Sequence, residues 1–184
     1  MSRSFSAVVL VIISGLLPVR AQSPTPSPSP TSIGEKLLEH HWTVDERKSP
    51  IDDSLTVVFS LLGQHETESA PGTEIALMLI RYKEHKWDVI VHAAGGYLGY
   101  GRPSVILRWD QAKAEKALWD DSTGNVSAFA PSPKAFVSQV MKSTKLVVRM
   151  FPKFTGEETI LFNVAGLADE INKYPEIANS LRGK

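Results

Sequence analysis

The stretch from Thr73 to Asp110 constrains the fold more than any other part of the chain. It holds two β-rich runs, Glu74–Tyr82 and Trp87–His92, divided by the polar residues Lys83 to Lys86, and then a third run, Val105–Trp109. Two runs rich in Ile, Leu, Val and aromatic residues on either side of a solvated turn are the pattern of a β-hairpin. The third run is expected to fold back on that hairpin. Between the second and third lies A-A-G-G-Y-L-G-Y-G-R-P (93–103), where Gly95, Gly96, Gly99 and Gly101 call for sharp turns or positive φ. Tyr97 and Leu98 supply bulk within it and are expected to sit over one end of the domain.

The rest of the chain reads as further short strands. Trp42–Lys48 alternates apolar and polar residues as an edge strand, Ile51–Ser54 is a turn whose carboxylates can accept from backbone N–H groups, and Leu55–Leu62 is the next strand. Gly63–Gly72 is polar and reads as a surface loop. Gln111–Leu118 has helix-favouring composition. A bend into a strand around Lys116–Asp120 is nonetheless favoured, because Trp119 and then Val126, Ala128 and Phe129 flank the turn signal Asp121-Ser-Thr-Gly-Asn125. Pro131-Ser-Pro133 introduces a helix through Val140, with Ser132 at the N-cap and Pro133 at the first helical position. Lys145–Phe151 and Glu158–Val164 are strands, Leu167–Leu181 is helical with a break at Pro175, and Ile33–His41 carries weaker helical signals. The sum is a mainly β fold, an antiparallel β-sandwich or half-barrel of seven to eight strands with one internal helix and a C-terminal helix.

Residues 1–21 have the form of a cleaved signal peptide: Arg3, the apolar run Ala7–Leu17, which is too short for a membrane span, and small residues before a break after Ala21. Export to the periplasm or beyond is the expectation. Residues 22–32 form a Pro/Ser-rich spacer, read as a plain extended linker rather than a peptide ligand. About 150 residues remain, 33–184, enough for a single β-rich domain with its own core. The chain contains no cysteine, so that core must hold without disulfides. Loss of Arg3 and Arg20 with the leader takes Lys+Arg from 20 to 18 against 20 Asp+Glu, a net of −2. That balance and the lack of basic tracts give no electrostatic reason to expect nucleic acid or an anionic membrane as a partner.

No arrangement for chemistry stands out. The five histidines, His40, His41, His65, His85 and His92, lack zinc-ligand spacing, and no serine sits in a nucleophile motif. Asp52-Asp53 and Asp120-Asp121 fall where turns are expected and read as turn carboxylates. The glycine loop does not spell G-x-G-x-x-G, so phosphate cradling and a cofactor are not implied. Arg81, Arg108 and Arg149 lie within strand runs and need partners, for which Asp88, Asp110 and Asp120 are the candidate counterions. The sharper reading of the loop is a binding patch of Tyr97, Tyr100, Arg102 and Trp109, residue types enriched in interface hot spots.

The order of S-P-I-D-D-S (49–54), L-M-L-I-R-Y (77–82), Gly96-Tyr97-Leu98-Gly99, L-R-W-D (107–110), Trp119, A-F-A-P (128–131), F-V-S-Q-V (136–140), K-L-V-V-R (145–149) and F-N-V-A-G-L (162–167) resembles the VasI/TagO family of type VI secretion-associated proteins. The resemblance spans about Trp42 to Tyr174. It implies a small exported bacterial β-rich domain, an envelope accessory without established catalytic residues. Members often carry a cysteine beside the strand arginine and another near the C-terminus. Here Tyr82 follows Arg81 and the tail has no cysteine. The expectation from the sequence is therefore a non-enzymatic exported domain that binds a protein or envelope component. A cell-envelope hydrolase with an unrecognised site and a small-molecule carrier are the alternatives.

Overall fold

The hairpin forms where the sequence places it. In the computed structural model, which describes residues 41–65, 76–93 and 96–182, strands β3 (Ala76–Lys83) and β4 (Lys86–His92) pair antiparallel from Leu77↔His92 to Lys83↔Lys86. Lys83 and Lys86 are thus the last rung of the ladder, and the turn shrinks from the expected four residues to Glu84-His85. Both turn residues have positive φ (49° and 61°), as a two-residue hairpin loop between right-twisted strands requires.

Strands β1 (Thr43–Lys48) and β2 (Leu55–His65) add to one side of the hairpin, with β2 pairing β3 and β1 pairing the first half of β2. Asp52 shapes the turn between them by accepting from the backbone N–H of Ser54 at 3.2 Å. Beyond Leu62, the expected polar loop gives way to three more strand residues, Gly63 to His65. The second half of β2 pairs there with β10 (Glu158–Asn163), through Ile160↔His65 and Leu161↔Gln64. Gly63 permits the crossing: a Cβ built on it would lie 2.5 Å from Ile160 Cγ2 and 2.6 Å from Phe162 Cε1, so only hydrogen fits.

β9 (Lys145–Met150) lies beside β10, and β5 (Ser104–Trp109) beside β9, with β6 (Glu115–Leu118) as its outer neighbour. The third run therefore does not fold back on the hairpin. The glycine loop carries the chain to the opposite wall instead. On the hairpin side, β8 (Ser127–Phe129) pairs β4 and β7 (Asp120–Asp121) pairs β8. The full order is β6-β5-β9-β10-β2-β3-β4-β8-β7, with β1 off this path. The described residues form ten strands, two or three beyond the expected seven or eight; the excess includes these short pieces, and Asp120-Asp121 is strand rather than turn.

The first and last strands of that order, β6 and β7, are joined by one residue, Trp119. The sheet consequently curls into a nearly closed, antiparallel barrel whose seam is a continuous piece of chain. Trp119 N–H donates to Pro103 O at 3.0 Å, prolonging the β5–β6 ladder, and its ring is 1% exposed. Alternation along the strands puts Val57, Phe59, Leu61, Met78, Ile80, Tyr82, Val89, Val91, Leu146, Val148, Met150, Ile160 and Phe162 inside, in one contiguous core.

Three helices among the described residues complete the packing. Helix α1 (Pro133–Val140) begins with Pro133 at its first turn and buries Phe136, Val137 and Val140. Ser132 holds the N-cap position, but its hydroxyl makes no capping bond; its carbonyl accepts from Phe136 N–H at 3.0 Å. The C-terminal segment divides at Pro175 into α2 (Leu167–Asn172) and α3 (Pro175–Leu181). These seat against the hairpin end, where Tyr174 meets Phe59 edge-on with centroids 6.1 Å apart and Trp87 Nε1 donates to Ser180 Oγ at 2.9 Å. No helix among the described residues is long and apolar enough to cross a membrane. The leader at 1–21, the spacer at 22–32, the helical segment expected over Ile33–His41 except for His41 itself, which is not helical, and the loop from residue 66 lie outside the described residues.

Candidate functional site

The glycine loop, the β7–β8 turn and the β9–β10 connection meet at one end of the barrel. Gly96, Gly99 and Gly101 take φ of 80°, 91° and 88°, the left-handed region in which side-chain-bearing residues are strained. The loop is tied on both sides, since Leu98 N–H donates to Asn125 O at 2.6 Å and Lys153 N–H donates to Tyr97 O at 2.8 Å. Leu98 packs on the core below, as its place in the sequence predicts.

Tyr97 is the centre of an aromatic cluster. Its ring stacks on Phe154 (5.8 Å, 25° between planes) and meets Tyr100 edge-on (5.7 Å, 83°). Partial burial pushes the Tyr97 phenol up, with the Tyr100 hydroxyl adding to the effect, so it stays a neutral hydrogen-bonding group at physiological pH. Phe154 is presented by a tight turn closed by Gly156 N–H to Pro152 O at 3.0 Å. Tyr100 is 90% exposed and Phe154 78%, while Leu118 and Phe151, at strand ends on the same side, also face solvent. Large aromatic rings left exposed beside one another, as Tyr100 and Phe154 are around Tyr97, are characteristic of a binding surface.

The four candidate residues do not all meet. Tyr97 and Tyr100 are in the cluster. Arg102 lies beside it but is engaged at the seam: its Nε donates to Asp120 Oδ1 at 2.9 Å and its Nη2 to Leu118 O at 3.1 Å, clamping the step from β6 to β7. Trp109 is at the far end of β5, about 17 Å along the strand at 3.3 Å per residue. Phe154, read from sequence only as part of a connection, takes its place. Its signal is faint: a large aromatic between Pro152 and Gly156, in a turn.

Trp109 belongs to a second feature, a cleft of about 410 Å³ between the inner face of β5–β6 and helix α1. Its aromatic lining is Trp109, Phe136 and Trp119, with Phe136 edge-on to both tryptophans at 5.0 and 5.6 Å.

The other polar candidates have local roles. Arg81 forks onto Asp88 Oδ2 at 2.6 and 2.9 Å as a cross-strand pair. Asp110 serves no arginine. Its Oδ1 accepts from Thr144 Oγ1 (2.8 Å), Thr144 N–H (3.0 Å) and Lys145 N–H (2.9 Å), and these bonds hold its carboxyl below the usual carboxylate range. His92 Nδ1 lies 3.0 Å from Ser127 Oγ on the outer face of the barrel, outside the cleft. His65 Nε2 is 3.3 Å from Glu158 Oε1, and His85 approaches Tyr82 and Glu176. Among the described residues no three His, Asp or Glu side chains are grouped as a metal would need.

No protein-family model, curated protein or solved structure matches the chain.

Proposed function

We propose that the chain is an exported, non-enzymatic binding domain that engages a protein or another component of the cell envelope through Tyr97, Tyr100 and Phe154. The observation that carries this reading is the exposure of Tyr100 and Phe154 around a ring that is itself fixed by two loops. Large rings left in water on a pre-set frame give a partner apolar area at little ordering cost. Export rests on the leader-like residues 1–21, and the resemblance to VasI/TagO proteins suggests an accessory role beside a type VI secretion machine. The test is retention of envelope fractions on the immobilised mature domain. Wild type retains a component that the Tyr100→Ala/Phe154→Ala variant does not; equal retention by both removes the reading.

The second reading, a small-molecule carrier, is favoured by the cleft lined by Trp109, Trp119 and Phe136, whose volume is in the range of ligand pockets. An apolar ligand entering it would change tryptophan emission, and no such change across a panel of apolar ligands dismisses it.

A further inference from the structure

The outer wall of the barrel carries a second groove, of about 490 Å³, which shares no lining residue with the aromatic cluster and is built on β5 and β9. Its charged lining is Arg108, Lys145, Arg149 and Asp110, over the half-buried Ile106 and Val147. Register fixes the arrangement. Arg108 pairs Val147 and Ile106 pairs Arg149, so Lys145 and Arg149 are the two diagonal neighbours of Arg108 on one face. Diagonal neighbours lie roughly 7–8 Å apart, within reach of long side chains. Lys116, directly across from Ile106, adds a fourth cation to the same face.

Like charges at this spacing repel, and the nearby carboxylates offset only part of that repulsion. Asp110 is committed to Thr144 and the backbone of Lys145. Glu157 pairs with Arg149, its Oε1 3.1 Å from Nε, and no carboxylate is paired with Arg108 or Lys145 among the described ion pairs. Both arginines are anchored through Nε, Arg108 to Ala112 O at 3.2 Å and Arg149 to Thr159 Oγ1 at 3.0 Å. Those anchors orient each guanidinium while using neither terminal nitrogen.

We infer that this groove binds a compact ligand bearing two phosphate groups, a pyrophosphate or bisphosphate, held by the Nη edges of Arg108 and Arg149 with Lys145 beside them. A tetrahedral phosphate offers several oxygens and up to two charges to converging cations, where a carboxylate offers one edge and one charge; guanidinium forks match phosphate oxygens in pairs. The apolar floor of Ile106 and Val147 accommodates the body of an organic bisphosphate.

The probe is inorganic pyrophosphate, titrated calorimetrically into the full mature chain at low and physiological salt. The expected result is one saturable site that weakens with salt and weakens about tenfold or more in Arg108→Gln and in Arg149→Gln, each checked for an unchanged circular dichroism spectrum. Tyr100→Ala/Phe154→Ala should bind pyrophosphate as wild type does, so this site and the aromatic surface fail independently. Vesicles carrying an anionic phospholipid form the second arm. Sedimentation with them that is lost in the same arginine variants places the phosphates on a headgroup, and pyrophosphate binding without sedimentation places them on a soluble ligand. No saturable binding in either arm, binding indifferent to both arginine substitutions, or succinate binding as tightly as pyrophosphate would overturn the inference.

Discussion

Tyr97 and Phe154 stack with ring centroids 5.8 Å apart and planes 25° from parallel, although one stands in the glycine loop and the other in the turn between β9 and β10. The backbone repeats the link, because Lys153 N–H donates to Tyr97 O. An aromatic pair of this kind contributes about 1 kcal/mol beyond its buried area. Tyr97→Ala should therefore cost about 1 kcal/mol or somewhat more and accelerate amide exchange at Lys153 selectively. Uniform acceleration across the barrel would mean the ring supports the whole fold rather than the joint between two loops.

Trp119 closes the barrel seam and contacts Phe136 of α1 with its ring. Replacing a fully buried large aromatic with alanine costs about 3–5 kcal/mol, most of it from the cavity left behind. Trp119→Ala should lower stability by that amount in urea unfolding. A loss under 1 kcal/mol would show that the seam does not hold the ends of the sheet together.

The crossing of β2 and β10 has no room for a side chain at position 63. Gly63→Ala places a methyl 2.5 Å from Ile160 Cγ2, and overpacking of this sort costs about 1–3 kcal/mol. The φ at this position is not left-handed, so any loss reports crowding and not backbone strain. Thermal unfolding should show a lowered midpoint for Gly63→Ala and little change for Gly124→Ala, where the nearest atom to a built Cβ is 3.7 Å away; equal shifts would show that crowding at position 63 is not the cause.

Asp110 ties the end of β5 to the start of β9, and its bonds to Thr144 and Lys145 depress its pKa in the folded state. A depressed carboxyl contributes stability that is present at neutral pH and is lost as pH falls through the folded value, below the ordinary carboxylate range. Asp110→Asn keeps an acceptor and tolerates the positive φ of 45° but removes the charge. It should be less stable than wild type at neutral pH, with the gap closing on acidification. A gap that is constant with pH would assign the effect to shape alone.

Local patterns were legible in the sequence and long-range ones were not. The β3–β4 hairpin, the turn between Asp121 and Ser127, Pro133 opening α1 and Pro175 dividing the C-terminal helices are all set by residues close to one another in the chain. Gly63-Gln64-His65 carries a turn-like composition, yet it is strand because Ile160 and Leu161 pair with it from almost a hundred residues away. The same holds for β5, whose neighbours are chosen by β9 and β6 rather than by the preceding hairpin. Of the aromatic surface, Tyr97 and Tyr100 could be read from their glycine context, whereas Phe154 joins them only through tertiary packing and Trp109 leaves them because β5 runs the height of the barrel.

The exposed rings of Tyr100 and Phe154 at the glycine-loop end are the proposed surface for a partner. The chain's four tryptophans all lie elsewhere, at positions 42, 87, 109 and 119. The direct measurement is an NMR titration of the labelled chain lacking residues 1–21 with any envelope fraction captured on it, alongside tryptophan emission. The account predicts shift changes centred on Tyr97, Tyr100, Lys153 and Phe154 with emission unchanged. Changes centred on Trp109, Trp119 and Phe136, with altered emission, would contradict it.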